Sequence, residues 1–403
     1  MITIQSKVLN KTIEIDRIIG HIQGDAQGPT IIFIGGIHGN EPAGIFALDH
    51  VMKQLHESSM AVSGAIYALA GNLRALKKGK RYQEKDLNRM WSIEKVERIN
   101  NGDIQNSKNN DALEQLELYD HIKTILANEN GPFYFFDLHT TSSKTIPFIT
   151  VNDNLLNRKF TTQYPTPIVL GIEEYLNGPL LSYINELGYV AFGFEGGQHD
   201  DISAIENHIA FIYLSLIYTN SIEKNSVDFK NYYECLALSS VNSKGFYEIF
   251  KHFVLGKNDI FKMNPGFINF QKIRKGQDLA VFNGQTIAAP YSGKIFMPLY
   301  QNQGDDGFFL IRTIPKVFLK ISAFLRDLRF DNWLTVLPGV RWKSKERNSL
   351  IVNRKLARFF TKEFFHLLGY RSKIVNRDHF IMKNREAVTR KNEYKNTSWY
   401  NIN

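Results

Sequence analysis

Ile31 to Gly44 reads IIFIGGIHGNEPAG: an apolar run, a glycine turn, then His38 and Glu41 three residues apart. An apolar strand that ends in a glycine-rich turn delivers polar side chains to the carboxyl edge of a sheet, where α/β proteins keep their sites. The pattern recurs twice. Pro132 to Leu138 (PFYFFDL) runs into His139, and Gly188 to Phe194 (GYVAFGF) runs into Glu195. Helical patterning lies between these runs. It covers Pro42 to Leu55, with proline at the first turn, and Ala112 to Ala127. It returns at Ser203, where Glu206 three residues on predicts a capping box, and continues to Tyr218. Strands alternating with helices predict an α/β fold over residues 1–226.

In a mostly parallel sheet the three strand ends share one edge, so His38, Glu41, His139 and Glu195 can converge. Two histidines and one glutamate make a three-ligand set that leaves a coordination position for water, the catalytic zinc arrangement. Zinc lowers the pKa of water toward ~7 and polarises carbonyls. Glu195, on a separate strand end, can move the proton. Each residue also has a plainer reading. A histidine after a strand is commonly hydrogen-bonded scaffold, Glu195 beside two glycines suits a turn, and Asp137 is either a partner for a ligating histidine or a buried acid. His121, His199, His208 and His252 sit in polar contexts that predict surface positions. The joint occurrence at successive strand ends favours the metal site.

The connection from Gly71 to Trp91 is rich in charge and poor in periodicity, which predicts a surface segment or a cleft lining. In it Arg81 and Arg89 flank Asp86 and Asn88. Arginine forms bidentate pairs with carboxylates, so this segment beside zinc suits an anionic, amide-containing substrate.

Four blocks then occur in order: GGIHGNEPAG, RYQEKDLNRMW, FDLHTTSS and GFEGGQ. Together they resemble the succinylglutamate desuccinylase/aspartoacylase family, a branch of the zinc carboxypeptidase-like hydrolases. The later stretch NPGFINFQKIRKGQDLA and the residues to Arg312 resemble the β-domain of bacterial members. The resemblance implies a zinc-carboxypeptidase-like mixed sheet flanked by helices, and cleavage of an N-acyl amino acid to a carboxylic acid and a free amino acid. It implies one zinc ion per chain, with His38, Glu41 and His139 as ligands and Glu195 as general base. Arg81 matches the arginine that polarises the scissile carbonyl, and Asn88 with Arg89 match the pair that holds the α-carboxylate. Tyr300 is the one substrate-selecting candidate named from the β-domain. IAAPYSGKI also resembles half of a biotinyl/lipoyl-type barrel, but without the modifiable lysine and its flanking methionines.

Charge divides the chain further. From Lys316 to Asn403 there are 20 Lys and Arg against 7 Asp and Glu, a net +13, whereas the whole chain carries +9. The first 315 residues are therefore net −4, and the basic excess says nothing about His38. The predicted organisation is a catalytic domain at 1–226, a β-rich, barrel-like domain at 227–315 and a basic, partly helical extension at 316–403. Within the extension, Leu350 to Leu368 patterns as a helix and the last dozen residues as a frayed polar end. Phe318, Phe324, Trp333, Trp342, Phe359, Phe360, Phe364, Phe365 and Tyr370 interleave with its cations. Such a surface suits nucleic acid or an anionic partner, or packs on the catalytic domain with its charges solvated. No run is long enough to span a bilayer. The single cysteine, Cys235, excludes an intramolecular disulfide and a cysteine-rich metal site, and a cytoplasmic location is expected. Two other functions fit: a metallocarboxypeptidase-type peptidase, and a binding or regulatory protein acting through its basic tail. The acyl group and the oligomeric state are not encoded legibly.

Overall fold

The structure is a computed structural model that describes residues 1–401 apart from 25, 59, 104–106, 242, 329, 337, 344–347, 354–366 and 375–378. Strands β1 (Ile2–Ser6) and β2 (Lys11–Ile15) form a hairpin of their own. The chain continues through β3 (Ile18–Gln23), β4 (Ala26–Gly35), α1 (Ala43–Glu57), β5 (Ser63–Ala70), α2 (Leu73–Lys78), α3 (Ile93–Asn100) and α4 (Asn110–Asn128). Then follow β6 (Phe133–Thr141), β7 (Phe148–Val151), α5 (Leu155–Thr161), β8 (Pro167–Leu170), α6 (Leu180–Glu186), β9 (Val190–Gln198) and α7 (Ile202–Tyr218).

β4, β6 and β9 are continuous apolar runs because helices cover both faces of the sheet. Side chains alternate between faces along each strand. Phe33, Phe136 and Phe192 pack with Leu48 of α1 and Phe211 of α7. Ile32, Phe135 and Ala191 pack on the other side with Leu118 of α4 and Ile184 of α6. β4 pairs in parallel with β5 and β6, and β6 in parallel with β9, so their carboxyl ends share one edge as expected. The segment expected to carry a capping box starts differently. α7 is capped by Asp201, two residues before Ser203; its side chain accepts from the Ser203 amide at 2.9 Å and so meets a free amide of the first turn.

The sheet does not stop at β9. Helix α8 (Phe229–Ser239) follows, in a stretch whose turn residues suggested strands alone; it packs on α7 through Leu236. Next come β10 (Gly245–Val254), β11 (Phe261–Met263), β12 (Lys272–Ile273), β13 (Asp278–Phe282), β14 (Gln285–Ala288), β15 (Gly293–Phe296) and β16 (Asp306–Thr313). β10 pairs with β8, and β16, β15 and β12 extend from it, giving a mixed sheet of eleven strands in the order β12-β15-β16-β10-β8-β7-β9-β6-β4-β5-β3. β11, β13 and β14 form a small separate sheet.

The C-terminal extension is more ordered, and more deeply docked, than its composition suggested. It holds α9 (Lys316–Asp327) and a four-stranded antiparallel sheet of β17 (Val340–Trp342), β18 (Ser349–Asn353), β19 (Tyr370–Ile374) and β20 (His379–Asn384). The expected helix at Leu350–Leu368 thus begins as strand, because Leu350 and Val352 face the small core of this sheet with Tyr370; residues 354–366, with Phe359, Phe360, Phe364 and Phe365, lie outside the described part. Phe318, Phe324 and Trp333 are exposed. Among the described residues the end of the chain is packed, not frayed. Tyr394 and Trp399 are buried against Tyr134 and Phe160. The Tyr394 hydroxyl accepts from the Val190 amide at 3.0 Å and donates to the Phe133 carbonyl, and Trp399 Nε1 donates to the Tyr134 hydroxyl at 3.0 Å. Arg326 and Arg385 are internal and pair with Asp153, so part of the basic excess balances acids of the main body.

Candidate active site

At Gly36, φ of +65° turns the chain out of β4 at low steric cost. A Cβ at Gly39 would stand 2.1 Å from the Ala75 carbonyl carbon, so only glycine lets this loop lie against α2. The loop thereby carries His38 and Glu41 over the end of β6. There, Gly35 is in register with Leu138, and His139 with Glu195. His139 and Glu195 lie within the last residues of their strands, which run on to Thr141 and Gln198.

His38, Glu41 and His139 are buried and present ligand atoms within 4.8 Å of one another. Glu41 lies between the two rings, with Oε1 2.9 Å from His38 Nδ1 and Oε2 3.1 Å from His139 Nδ1. The far nitrogens are held by carboxylates: His38 Nε2 lies 3.1 Å from Asp86 Oδ1, and His139 Nε2 lies 2.8 Å from Asp137 Oδ2. The Thr140 amide donates to Glu41 at 3.0 Å. Burial opposes the charge on Glu41, but the two histidines hold its carboxyl well below the usual range. Burial likewise opposes a cationic His139, yet Asp137 and Glu41 raise its pKa well above the ordinary imidazole value. Nitrogen and oxygen donors face inward, with acids behind both rings: a donor set that fits a divalent transition metal, zinc above all.

Glu195 stands beside His139 and is buried. Its Oε2 has no hydrogen-bond partner among the described residues. Burial, reinforced by Glu41 and Asp137, pushes its pKa up to about 8. Such a carboxyl exchanges a proton near neutral pH.

Arg81, Asn88 and Arg89 line the same cleft as these four residues. Arg81 Nη2 donates to Asp86 at 3.1 Å, and its Nη1 is 3.4 Å from Glu41. Asn88 Oδ1 accepts from the amide of Leu180, the first residue of α6, at 2.9 Å. Arg89 Nη2 donates to Asp306 at 2.8 Å. Tyr300 is not among the lining residues; its hydroxyl donates to the Asn264 carbonyl.

Several contributors leave no sequence signal. Asp111, buried at the start of α4, accepts from the amides of Gln83, Glu84 and Lys85 at 3.2, 2.6 and 2.8 Å, and so shapes the loop from Arg81 to Arg89. Gln301 arrives from the β-rich part and accepts from Asn40 Nδ2 at 2.8 Å. His199, expected at the surface, lies half-buried between Thr140 Oγ1 at 2.7 Å and Gln301 at 3.3 Å. His208 is fully buried and the His252 side chain nearly so, because α7 and β10 pack where polar neighbours in sequence suggested solvent.

An α/β protein with a candidate metal centre at the carboxyl edge of its sheet is thereby defined. Residues 27–205 match the model of the succinylglutamate desuccinylase/aspartoacylase catalytic domain. Succinylglutamate desuccinylase of Pseudomonas aeruginosa (strain LESB58) is 27% identical over 113 residues, 28% of this chain and 31% of that protein. The Photorhabdus laumondii enzyme of the same name is 36% identical over 75 residues, 19% of this chain and 22% of its own. The chain thus spans less than a third of the length of these curated relatives. Among solved structures, a succinylglutamate desuccinylase/aspartoacylase from Rhodobacter sphaeroides aligns at TM-score 0.55 and 16% identity, covering 73% of this chain and 88% of that one. Succinylglutamate desuccinylase from Vibrio cholerae aligns at 0.51 and 16%, covering 77% and 90%. At these identities the likeness is one of fold.

Proposed function

We propose that the chain is a zinc-dependent hydrolase that cleaves the amide bond of an N-acyl amino acid. The observation that carries this reading is the buried His38–Glu41–His139 cluster with Glu195 beside it, in a cleft that also holds Arg81, Asn88 and Arg89. His38, Glu41 and His139 would hold one zinc ion, which lowers the pKa of water and polarises the scissile carbonyl. Asp86 and Asp137 orient the imidazoles by their Nε2 atoms and leave each Nδ1 free to ligate. Glu195 takes the proton of the attacking water and returns it to the leaving nitrogen; burial suits it to both steps. Arg81 donates to the oxyanion that develops on the carbonyl. Asn88 and Arg89 grip the α-carboxylate of the amino acid.

In this reading residues 1–226 form the catalytic unit. Residues 227–315 close one wall of the cleft, through Met297 to Leu299, Gln301 and Asp306. Residues 316–403 act as a brace. Among the described residues no helix is long and apolar enough to cross a membrane. The test is a panel of N-acyl amino acids with purified protein, alongside metal analysis. About one zinc per chain is expected, with hydrolysis abolished by chelation and restored by zinc. A chain that takes up no zinc, or hydrolyses nothing when loaded, refutes the proposal.

A further inference from the structure

Both arginines of the cleft are already matched by carboxylates of the chain itself. Among the described lining residues the lysine and arginine side chains are Arg81 and Arg89. Arg81 is engaged by Asp86 and Glu41, and Arg89 by Asp306. Asp306 is anchored from behind. It opens β16, its Oδ1 accepts from His252 Nε2 at 2.8 Å, and the His252 ring stacks on Phe309 with centroids 4.2 Å apart. Burial opposes its charge, but His252 and Arg89 hold the Asp306 carboxyl below the usual carboxylate range, so it is an anion at neutral pH.

Apart from His38, Glu41, His139 and Glu195, the rest of the cleft is uncharged. Thr150, on β7, is in register with Gly193, two residues from Glu195. Asn152 Nδ2 donates to Ser182 at 3.3 Å, and Ile172, Leu176 and Phe309 border the same space. Arg89 Nη1 donates to the Asn88 carbonyl and Nη2 to Asp306, which leaves N–H groups enough to share one ligand carboxylate. A second carboxylate on the ligand would meet hydroxyls, amides, apolar walls and the anion of Asp306, an arrangement that excludes wrong partners by like-charge juxtaposition.

We propose that the cleft selects N-acyl amino acids that carry a single carboxylate, with uncharged acyl group and side chain, and that Asp306 sets this preference by occupying Arg89. The inference rests on the deacylase reading above and names its substrate class.

N-acetyl-L-leucine and N-acetyl-L-glutamate are similar in size and differ by one carboxylate. Calorimetric titration of both into zinc-loaded full-length Glu195→Gln protein reads the preference without turnover. The leucine derivative binds about tenfold tighter or better, and adding Asp306→Asn shrinks that ratio by about tenfold. Equal or tighter binding of the glutamate derivative overturns the inference. So does an unchanged ratio in a double variant whose zinc content and circular dichroism match the single one, or binding of neither ligand. Turnover by the unsubstituted chain separates the two claims. Hydrolysis that favours the glutamate derivative removes the charge preference and keeps the deacylase. No hydrolysis together with the expected binding ratio removes the deacylase and keeps the preference.

Discussion

Asp137 Oδ2 lies 2.8 Å from His139 Nε2, two residues away on the same strand. Alternation along β6 puts both side chains on one face, so the strand itself builds the partner that fixes the ring and turns Nδ1 toward Glu41. Asp137→Asn removes the charge and keeps the shape. Zinc affinity should fall roughly 10–100-fold, as is usual when such a partner is lost. Competition with a chelator of known affinity measures it, and an unchanged affinity contradicts the orienting role.

In the proposed mechanism Glu195 has a separate task from the ligands, so its loss should separate chemistry from metal binding. Glu195→Ala is expected to keep zinc and to lose hydrolysis by roughly 10²–10⁴-fold, the usual span for a general acid–base group. Full activity in that variant would remove Glu195 from the mechanism.

Asp111 acts at a distance. Asp111→Ala strips three loop amides of their acceptor and should cost roughly 1–3 kcal/mol in stability. The loop carries Arg81, Asn88 and Arg89, so KM should rise as well. Urea unfolding and steady-state kinetics read the two effects, and a KM that stays put would show that the loop holds its shape without Asp111.

The C-terminal end should prove inseparable from the catalytic unit. Trp399→Ala empties a site among Tyr134, Phe160 and Tyr394 and is expected to destabilise by about 3–5 kcal/mol. Deleting Lys316–Asn403 should give insoluble chain rather than an active core. A soluble, active truncation would restore the idea of a detachable basic tail.

Acid should loosen the same junction. Burial opposes the charge on Asp153, but Arg158, Arg326 and Arg385 hold its carboxyl well below the ordinary aspartate value. A group whose pKa is lowered on folding contributes stability that is full above its unfolded value, about 4, and that is lost as pH falls through the folded one. Asp153→Asn should therefore be less stable at neutral pH, with a flatter stability profile below about pH 4. Urea midpoints across that range decide it; parallel profiles for parent and variant would exclude Asp153 as the source.

The His38–Glu41–His139 cluster and Glu195 beside it were legible in the sequence because each follows an apolar run that specifies a buried strand. His38 and Glu41 share one turn, and His139 and Glu195 each lie near the end of a strand, so a local pattern marks them. The loop from Arg81 to Arg89 was legible as charged and unstructured, which suits a cleft wall. The boundaries of α1, α4 and α7 followed periodicity to within a few residues, although Asp201 caps α7 in place of Ser203, and the helix expected from Leu350 begins as strand.

Only the tertiary structure decided the rest. Arg89 and Asp306 are separated by 217 positions, and their pairing depends on β16 joining the same sheet as β6. Tyr394 reaches Phe133 across 261 positions, which turned an apparently polar tail into part of the core. Asp111 stands in an Asn- and Asp-rich stretch, and its role exists only where the backbone of another loop folds over it. Periodicity reports which face of its own element a residue occupies. Which distant element meets that face depends on strand order, and so the ligands could be read along the chain while their partners, and the charge balance of the cleft, could not.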